Sequence, residues 1–221
     1  MLSIVIPTLN AGSSLAVTLE ACKAIDAEII ISDGGSTDQT CEIAQSMGCT
    51  LNTSSPGRGS QLIHGAQHAN RDWLLFIHAD SIPAQGWEAC VEDFIKARGN
   101  RYRAGVFHLK LDDPAQQARR IEWWVERRAK TLALPYGDQG LLISRAYYNG
   151  LGGYRSIPLM EDVDIIRRIG RSGLYILPTH ITTSARRYQR DGYWQRPARN
   201  LGLLGLYFLG VPPKLLARLY Q

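Results

Sequence analysis

Short hydrophobic runs recur through the first eighty positions, and each stops at a polar or glycine-containing turn. Leu2 to Ile6 is rich in β-branched residues and ends at Pro7. Glu28 to Ile31, Cys49 to Asn52 and Trp73 to Ile77 follow the same plan. Helical spacing fills the gaps. One helix runs from a cap at Ser13 or Ser14 to about Lys23, and a second from about Gln39 to Met47, capped by Ser36, Thr37 or Asp38. A third runs from about Ser60 to Asn70. Strands alternating with helical crossovers predict parallel strands in a doubly wound α/β sheet.

Trp73 to Ile77 is apolar without a break and stops at His78-Ala79-Asp80. Such a run reads as a strand buried on both faces. Ligands in open α/β sheets bind outside the carboxyl ends of these strands. Positions i and i+2 share a face while strand geometry persists. The pattern therefore predicts an imidazole and a carboxylate side by side at the mouth of a cleft.

Beyond Asp80 the pattern changes. Pro83 is expected to open a helix through about Arg98. Gly105 to Leu111 alternates like an exposed or edge strand, and Pro114 to Leu134 reads as a long helix. Gln139 to Ser144 predicts a strand after the turn Pro135-Tyr136-Gly137-Asp138. Glu161-Asp162 heads a helix to about Arg171, and Leu174 to Leu177 and Ile181 to Ala185 read as two closing strands. The last thirty residues are helical, aromatic and basic, interrupted by Pro212-Pro213.

Composition adds one feature, an uneven charge. Residues 1–100 carry 5 Lys and Arg against 11 Asp and Glu, net −6, whereas residues 101–221 carry 20 against 9, net +11. The second half is suited to an anionic partner such as phosphates or a lipid surface. It contains no recognised nucleic-acid module. The four cysteines have no metal-like spacing and read as free thiols of a reducing compartment. With no signal peptide and no apolar stretch of membrane-spanning length, a cytoplasmic location is expected, with peripheral contact at the inner membrane face as an option.

Four motifs offer chemistry, each with a plain structural alternative. Ser32 to Asp38, 'SDGGSTD', follows a strand and opens a helix. Asp33 can accept from a base or ribose, or the stretch is a turn and a cap. 'SPGRGS' offers backbone amides and the Arg58 guanidinium to a phosphate, though it is neither a P-loop nor a dinucleotide fingerprint. His78 and Asp80 can hold Mg²⁺ or Mn²⁺; alternatively Asp80 caps a helix and His78 is a hydrogen-bonded neighbour. His180 is a candidate third metal ligand. Glu161, Asp162 and Asp164 at a helix start are favoured by the helix dipole, and one of them can act as a general base.

Taken in order, 'SIVIPTLN', 'IISDGGSTDQT', 'GRG', 'LLFIHAD', 'GGY' and 'MEDVD' resemble family-2 glycosyltransferases of GT-A fold over about residues 2–170. The 'HAD' form and short basic tail look like the bacterial subgroup called rSAM/selenodomain-associated transferase 2. The resemblance implies a Rossmann-like, mostly parallel sheet flanked by helices, a smaller acceptor-side sheet and a helical C-terminal tail. It implies one domain over residues 1–221, with a nucleotide-binding half (1–100) and an acceptor half (101–221). Pro7, Thr8, Asp33, Gly34, Arg58 and Ala79 would lie along the nucleotide. Asp80 matches the last aspartate of the Asp-x-Asp metal motif, and His78 replaces the first. Asp162 matches the general base of inverting members, and Glu161, Arg186 and Arg187 would serve diphosphate or acceptor. No intact Q-x-x-R-W motif is present.

The expected activity is transfer of a sugar from a nucleotide sugar, a UDP-sugar foremost, to an acceptor hydroxyl, with inversion and a divalent metal. The acceptor is unknown, with lipid-linked or phosphorylated compounds as candidates. The rival readings are a nucleotidyltransferase of similar build and a non-catalytic nucleotide-sugar or membrane-surface binding protein. The apolar tail from Leu201 onward is expected to close the core, join copies of the chain or touch a membrane interface.

Overall fold

A computed structural model describes residues 2–220; Met1 and Gln221, the ends of the expected domain, lie outside the described residues. The first half alternates as its pattern requires. Strands β1 (Leu2–Thr8), β2 (Ala27–Asp33), β3 (Thr50–Thr53) and β4 (Trp73–Phe76) are separated by helices α1 (Leu15–Cys22), α2 (Thr40–Ser46) and α3 (Arg58–His68). These four strands pair in parallel. The N-cap of α2 is Gln39, not Ser36, Thr37 or Asp38, and it has no side-chain cap; the Asp38 carboxylate, one residue before it, accepts from the Thr40 amide at 3.0 Å.

The second half adds β5 (Ser81–Pro83), α4 (Trp87–Lys96), β6 (Ala104–Leu111), α5 (Gln116–Leu132), β7 (Leu141–Ser144) and α6 (Arg145–Gly150). Helix α7 (Glu161–Gly173), β8 (Leu174–Thr183), α8 (Arg186–Asp191), α9 (Gln195–Phe208) and α10 (Pro213–Tyr220) complete the order. All eight strands share one sheet in the order β3-β2-β1-β4-β7-β6-β8-β5. Strands β5 to β8 are thus continuous with β1 to β4 in one sheet. Strand β7 runs antiparallel to both neighbours, and β6 pairs with β8 in parallel.

Period-2 alternation sends side chains into two cores. Ile4, Ile6, Leu75 and Ile77 join Leu15, Trp87 and Phe94 on one face, while Val5, Leu74 and Phe76 join Leu62, Tyr148 and Ile165 on the other. Helices cover both faces of β4, which is why all its residues are buried. Against β1 the covering is tight: a Cβ on Gly65 of α3 would lie 2.4 Å from Val5 Cγ1.

Several expectations for the second half are corrected. Strand β6 is interior, not an edge: it lies between β7 and β8 and Ala104 to Phe107 are buried. Its alternation follows from polar positions at its far end, His108 and Lys110. Pro83 ends a short edge strand instead of opening a helix. An edge position tolerates its missing N–H. The two closing strands are one ten-residue strand, β8. Its ladder jumps from Val106↔Ile176 to His108↔His180, so Pro178 sits in a bulge that reads as a break in sequence. Helix α6 was not anticipated; Ser144 caps it by accepting from the Tyr147 amide at 3.1 Å. In the tail, Leu203, Leu204 and Leu216 are buried, whereas Leu201, Leu209 and Leu219 are exposed. Among the described residues no helix is long and apolar enough to cross a membrane.

Candidate active site

Strand β4 ends where its ladder runs out. The Ile77 amide still donates to the Val5 carbonyl, at 3.2 Å, and the chain then turns, with Ser81 N–H donating to the His78 carbonyl at 3.2 Å. Regular strand geometry is lost, yet His78 and Asp80 line the same pocket. The pocket encloses about 140 Å³, and Arg58, Asp138, Glu161 and Asp162 also face it. A parallel strand, a helix start, a 3₁₀ turn and the head of α7 converge there.

The head of α7 is fixed by its neighbours. Met160, before it, adopts a left-handed conformation at φ 68°. Glu161 is buried and meets Arg58 Nη1 at 3.4 Å. The Asp162 carboxylate accepts from the Gly137 amide at 2.8 Å and from the Val163 amide at 2.7 Å. Asp164 is taken up structurally, by Arg155 at 3.1 Å and Arg168 at 2.6 Å. Of the three carboxylates, therefore, Asp164 is turned away from the pocket chemistry.

Burial sets the protonation of the pocket. It holds His78 well below the ordinary imidazole value, reinforced by the positive charges of Arg58 and Arg187. The ring is neutral at pH 7 and keeps a lone pair. Burial also raises Asp138, pushed up to about 6 with help from Asp162 and Asp80 and against Arg128. Glu161 is raised by burial too, opposed by Arg58.

A second cluster occupies the carboxyl ends of β1 and β2, where Thr8 pairs with Asp33 and Pro7 with Ser32. Asp33 accepts from Thr8 Oγ1 at 2.8 Å, Ser36 Oγ at 2.6 Å, and the Gly35 and Ser36 amides at 2.9 and 2.7 Å. These bonds outweigh its burial and hold its carboxyl below the usual range. Gly34 N–H donates to the Thr8 carbonyl, and a Cβ there would meet the Gln61 side chain at 3.0 Å. Ala79 is buried and its carbonyl accepts from Thr18 Oγ1 at 3.0 Å.

The model of glycosyl transferase family 2 matches residues 3–145 of this chain. The chain belongs to that family. A relative named PGL/p-HBAD biosynthesis glycosyltransferase, from Mycobacterium tuberculosis, is 35% identical over 97 residues, covering 36% of this chain and 35% of its own length. The chain thus spans about a third of the curated relatives it matches. Among solved structures, Staphylococcus aureus TarS 1–349 superposes with TM-score 0.63 at 15% identity, over 83% of this chain and 60% of that one. Glucosyl-3-phosphoglycerate synthase from M. tuberculosis, solved with Mn²⁺, UDP and glucosyl-3-phosphoglycerate, gives 0.59 at 18% identity, over 83% and 70%. These likenesses establish the GT-A fold.

Within this family-2 chain the pocket gathers six of the residues expected from sequence: Arg58, His78, Asp80, Glu161, Asp162 and Arg187. Two expectations fail. His180 does not share the pocket: Thr183 lines it, and His180, at odd spacing along β8, faces a different groove. Arg186 turns to Ser13 Oγ at 3.4 Å, because neighbours on a helix diverge by about 100°, and only Arg187 faces the pocket. Sequence reasoning missed Asp138, Tyr136 and Tyr188, and it missed the tail residues Arg196 and Tyr220 that cover one side. An acidic residue in a Pro-Tyr-Gly-Asp turn between helix and strand was the one signal for Asp138.

Among the described residues no three His, Cys, Asp or Glu side chains form a ready-made metal cage. The donors nonetheless fit a cation that draws part of its shell from a ligand. Asp80 and neutral His78 line the pocket, and the buried Asp138 Oδ1 has no hydrogen-bond partner. Mg²⁺ and similar ions commonly use one or two carboxylates and complete their shell with phosphate oxygens and water.

Proposed function

We propose that this chain is an inverting, metal-assisted glycosyltransferase that uses a UDP-sugar and an acceptor hydroxyl. The observation that carries the reading is the placing of Asp162. Its carboxylate is aimed by the Gly137 amide into the pocket that also holds Asp80, Arg58 and Arg187. A base faces a cation-binding carboxylate and two guanidiniums across one small space. The UDP and Mn²⁺ bound by the M. tuberculosis synthase of like fold support the choice of donor and ion.

On this reading residues 1–100 hold the nucleotide and the remainder holds the acceptor. Pro7, Thr8, Asp33 and Gly34 form the nucleoside wall at the ends of β1 and β2, with the Ala79 backbone beside it. Asp33 is pre-aligned by its donors, and a base imide would displace or share one of them. A divalent cation, when bound by Asp80 with His78 and Asp138, supplies charge neutralisation for the departing diphosphate. Arg187 and Arg58 add positive charge on the same side. Asp162 accepts the acceptor's hydroxyl proton as its oxygen attacks the anomeric carbon. The bond from that carbon to the diphosphate oxygen breaks, and the nucleoside diphosphate leaves with the electron pair. Attack opposite the leaving group inverts the anomeric configuration.

The test is a thermal-shift panel of UDP-, GDP- and other nucleotide sugars with and without Mn²⁺, on parent and Asp162→Asn. Binding stabilises by mass action, so a donor well above its Kd raises Tm. A UDP-sugar shift that depends on Mn²⁺ and survives Asp162→Asn is expected, together with loss of about 10²–10⁴-fold in donor hydrolysis or transfer by that variant. Absence of a shift with every nucleotide sugar would sink the reading.

A further inference from the structure

A second cavity, of about 520 Å³, lies between α5 and the β6/β8 pair. That volume is in the range of small-molecule sites. Two features of the chain create it. The bulge in β8 places three residues, Leu177 to Thr179, opposite the single Phe107 of β6, and bulges commonly re-aim side chains beside functional sites. Helix α5 buries Ala118, Ile121 and Val125 and turns Glu122, Trp123 and Glu126 toward the cavity. The His108–His180 pair of the ladder lines the opposite wall.

Three properties define what would fit. Trp123 is 52% exposed although it lines the cavity; Arg127 lies over its ring at 5.4 Å and Trp124 meets it edge-on, and the rest of the indole surface is open to a ligand. Gln139, only 1% exposed, also lines it; its Nε2 donates to the Phe107 carbonyl at 2.9 Å, while its buried Oε1 has no partner. An unused acceptor of that kind calls for a donor such as a hydroxyl. Finally, most of the charges are paired. Arg119 is held by Glu122 at 2.9 Å, and Glu126 by Lys130 at 2.6 Å. Lys110 adds one positive charge, and burial lowers both His108 and His180 toward the neutral ring. A cation finds no uncompensated counter-charge here, and an anion finds only the exposed Lys110.

We propose that this groove is a second, non-catalytic binding site for a neutral saccharide, which packs on Trp123 and hydrogen-bonds to Gln139 and the histidine pair. An apolar plate beside converging polar groups is what a polyhydroxylated ring with an apolar face requires. The groove and the carboxylate pocket meet at one peptide: Asp138 lines one and Gln139 the other. The inference does not depend on the donor assigned to the carboxylate pocket, because its readout is direct binding.

The experiment is saturation-transfer NMR on the full chain with maltose, cellobiose and N,N′-diacetylchitobiose, each with and without excess UDP. Saturable transfer from at least one disaccharide is expected, undisturbed by UDP and weakened at least about tenfold in Trp123→Ala. Trp123 is exposed, so its removal should leave the melting temperature in place. His180→Ala, on the opposite wall, should give the same loss and keeps the test independent of helix α5. The proposal is overturned by no transfer from any of the sugars up to about 20 mM, a weak-affinity ceiling. Displacement by UDP overturns it as well, and so does binding unchanged in both variants.

Discussion

Arg58 and Glu161, 103 positions apart in the chain, meet at 3.4 Å on the wall of the carboxylate pocket. Arg58 heads α3 and Glu161 heads α7, so the pair ties the helix that follows β3 to the helix that carries Asp162. Glu161 has 4% of its side chain exposed and Arg58 has 41%. The carboxylate is the partner with more to lose. Arg58→Met should lower stability by about 1–2 kcal/mol, discounted for the exposed guanidinium. Adding Glu161→Gln should restore part of that stability without restoring activity. Urea denaturation of both single variants and the double variant measures the coupling, and simple additivity would refute it.

The two adjacent arginines at the start of α8 should behave differently. Arg187 faces the pocket and contributes to the low pKa of His78, while Arg186 reaches Ser13. Arg187→Ala should reduce kcat by about 10²-fold, the scale of losing one group that stabilises developing charge. Arg186→Ala should stay within about twofold, as expected for an exposed residue remote from the chemistry. Steady-state rates of the two variants under one donor concentration decide the matter; equal losses would contradict the geometry.

Gly59 is confined by backbone. A Cβ there would lie 2.5 Å from the Arg155 carbonyl oxygen and 3.1 Å from that of Ile157. Neither atom is the end of a flexible side chain, so the segment before α7 must shift. Gly59→Ala should cost about 1–3 kcal/mol as an overpacking change. It should also cut activity, because Arg58 next door would be displaced from Glu161. Calorimetry and turnover should fall together, and a variant with parental Tm and rate would show that the contact relaxes freely.

Asp33 predicts an acid limb to stability. Its carboxyl lies below the ordinary range in the folded chain because Ser36, Thr8 and Gly35 donate to it against the cost of burial. A depressed folded pKa stabilises fully above the unfolded value, near pH ~4, and the contribution fades as pH falls through the lower folded value. Asp33→Asn should therefore cost roughly 1–3 kcal/mol at pH 7. The gap from the parent should begin to narrow as pH falls below the unfolded value and close further as it falls through the lower folded value, where Asp33 takes up its proton. Urea midpoints across that range provide the measurement, and a gap independent of pH would count against it.

The first half of the fold was readable because its central strands β1 and β4 are covered by helices on both faces, so their burial is written as unbroken apolar runs. Trp73 to Phe76 is the clearest case. Where burial is uneven the pattern misleads. His108 and Lys110 made an interior strand look like an edge, and Pro178 in its bulge made β8 look like two strands. The site divides in the same way. His78, Asp80 and Asp162 stand at element ends, where strand and helix signals locate them. Asp138 sits in a 3₁₀ turn whose position depends on Asp162, Arg128 and β7 together, and no local spacing encodes that. His180 was misplaced because the parity of a strand can be counted only once its register is known.

The hydrogen bond that aims Asp162 comes from the main chain of Gly137. A backbone donor is present whichever residue occupies the position, proline excepted. Alanine scanning will therefore report on position 137 only through the added methyl, which would lie 3.1 Å from His78 Nε2 and 3.3 Å from Asp162 Oδ2. The support for Asp162 is in this sense hidden from ordinary mutagenesis. Replacing the amide by an ester through semisynthesis would remove the donor while leaving the side chains as they are.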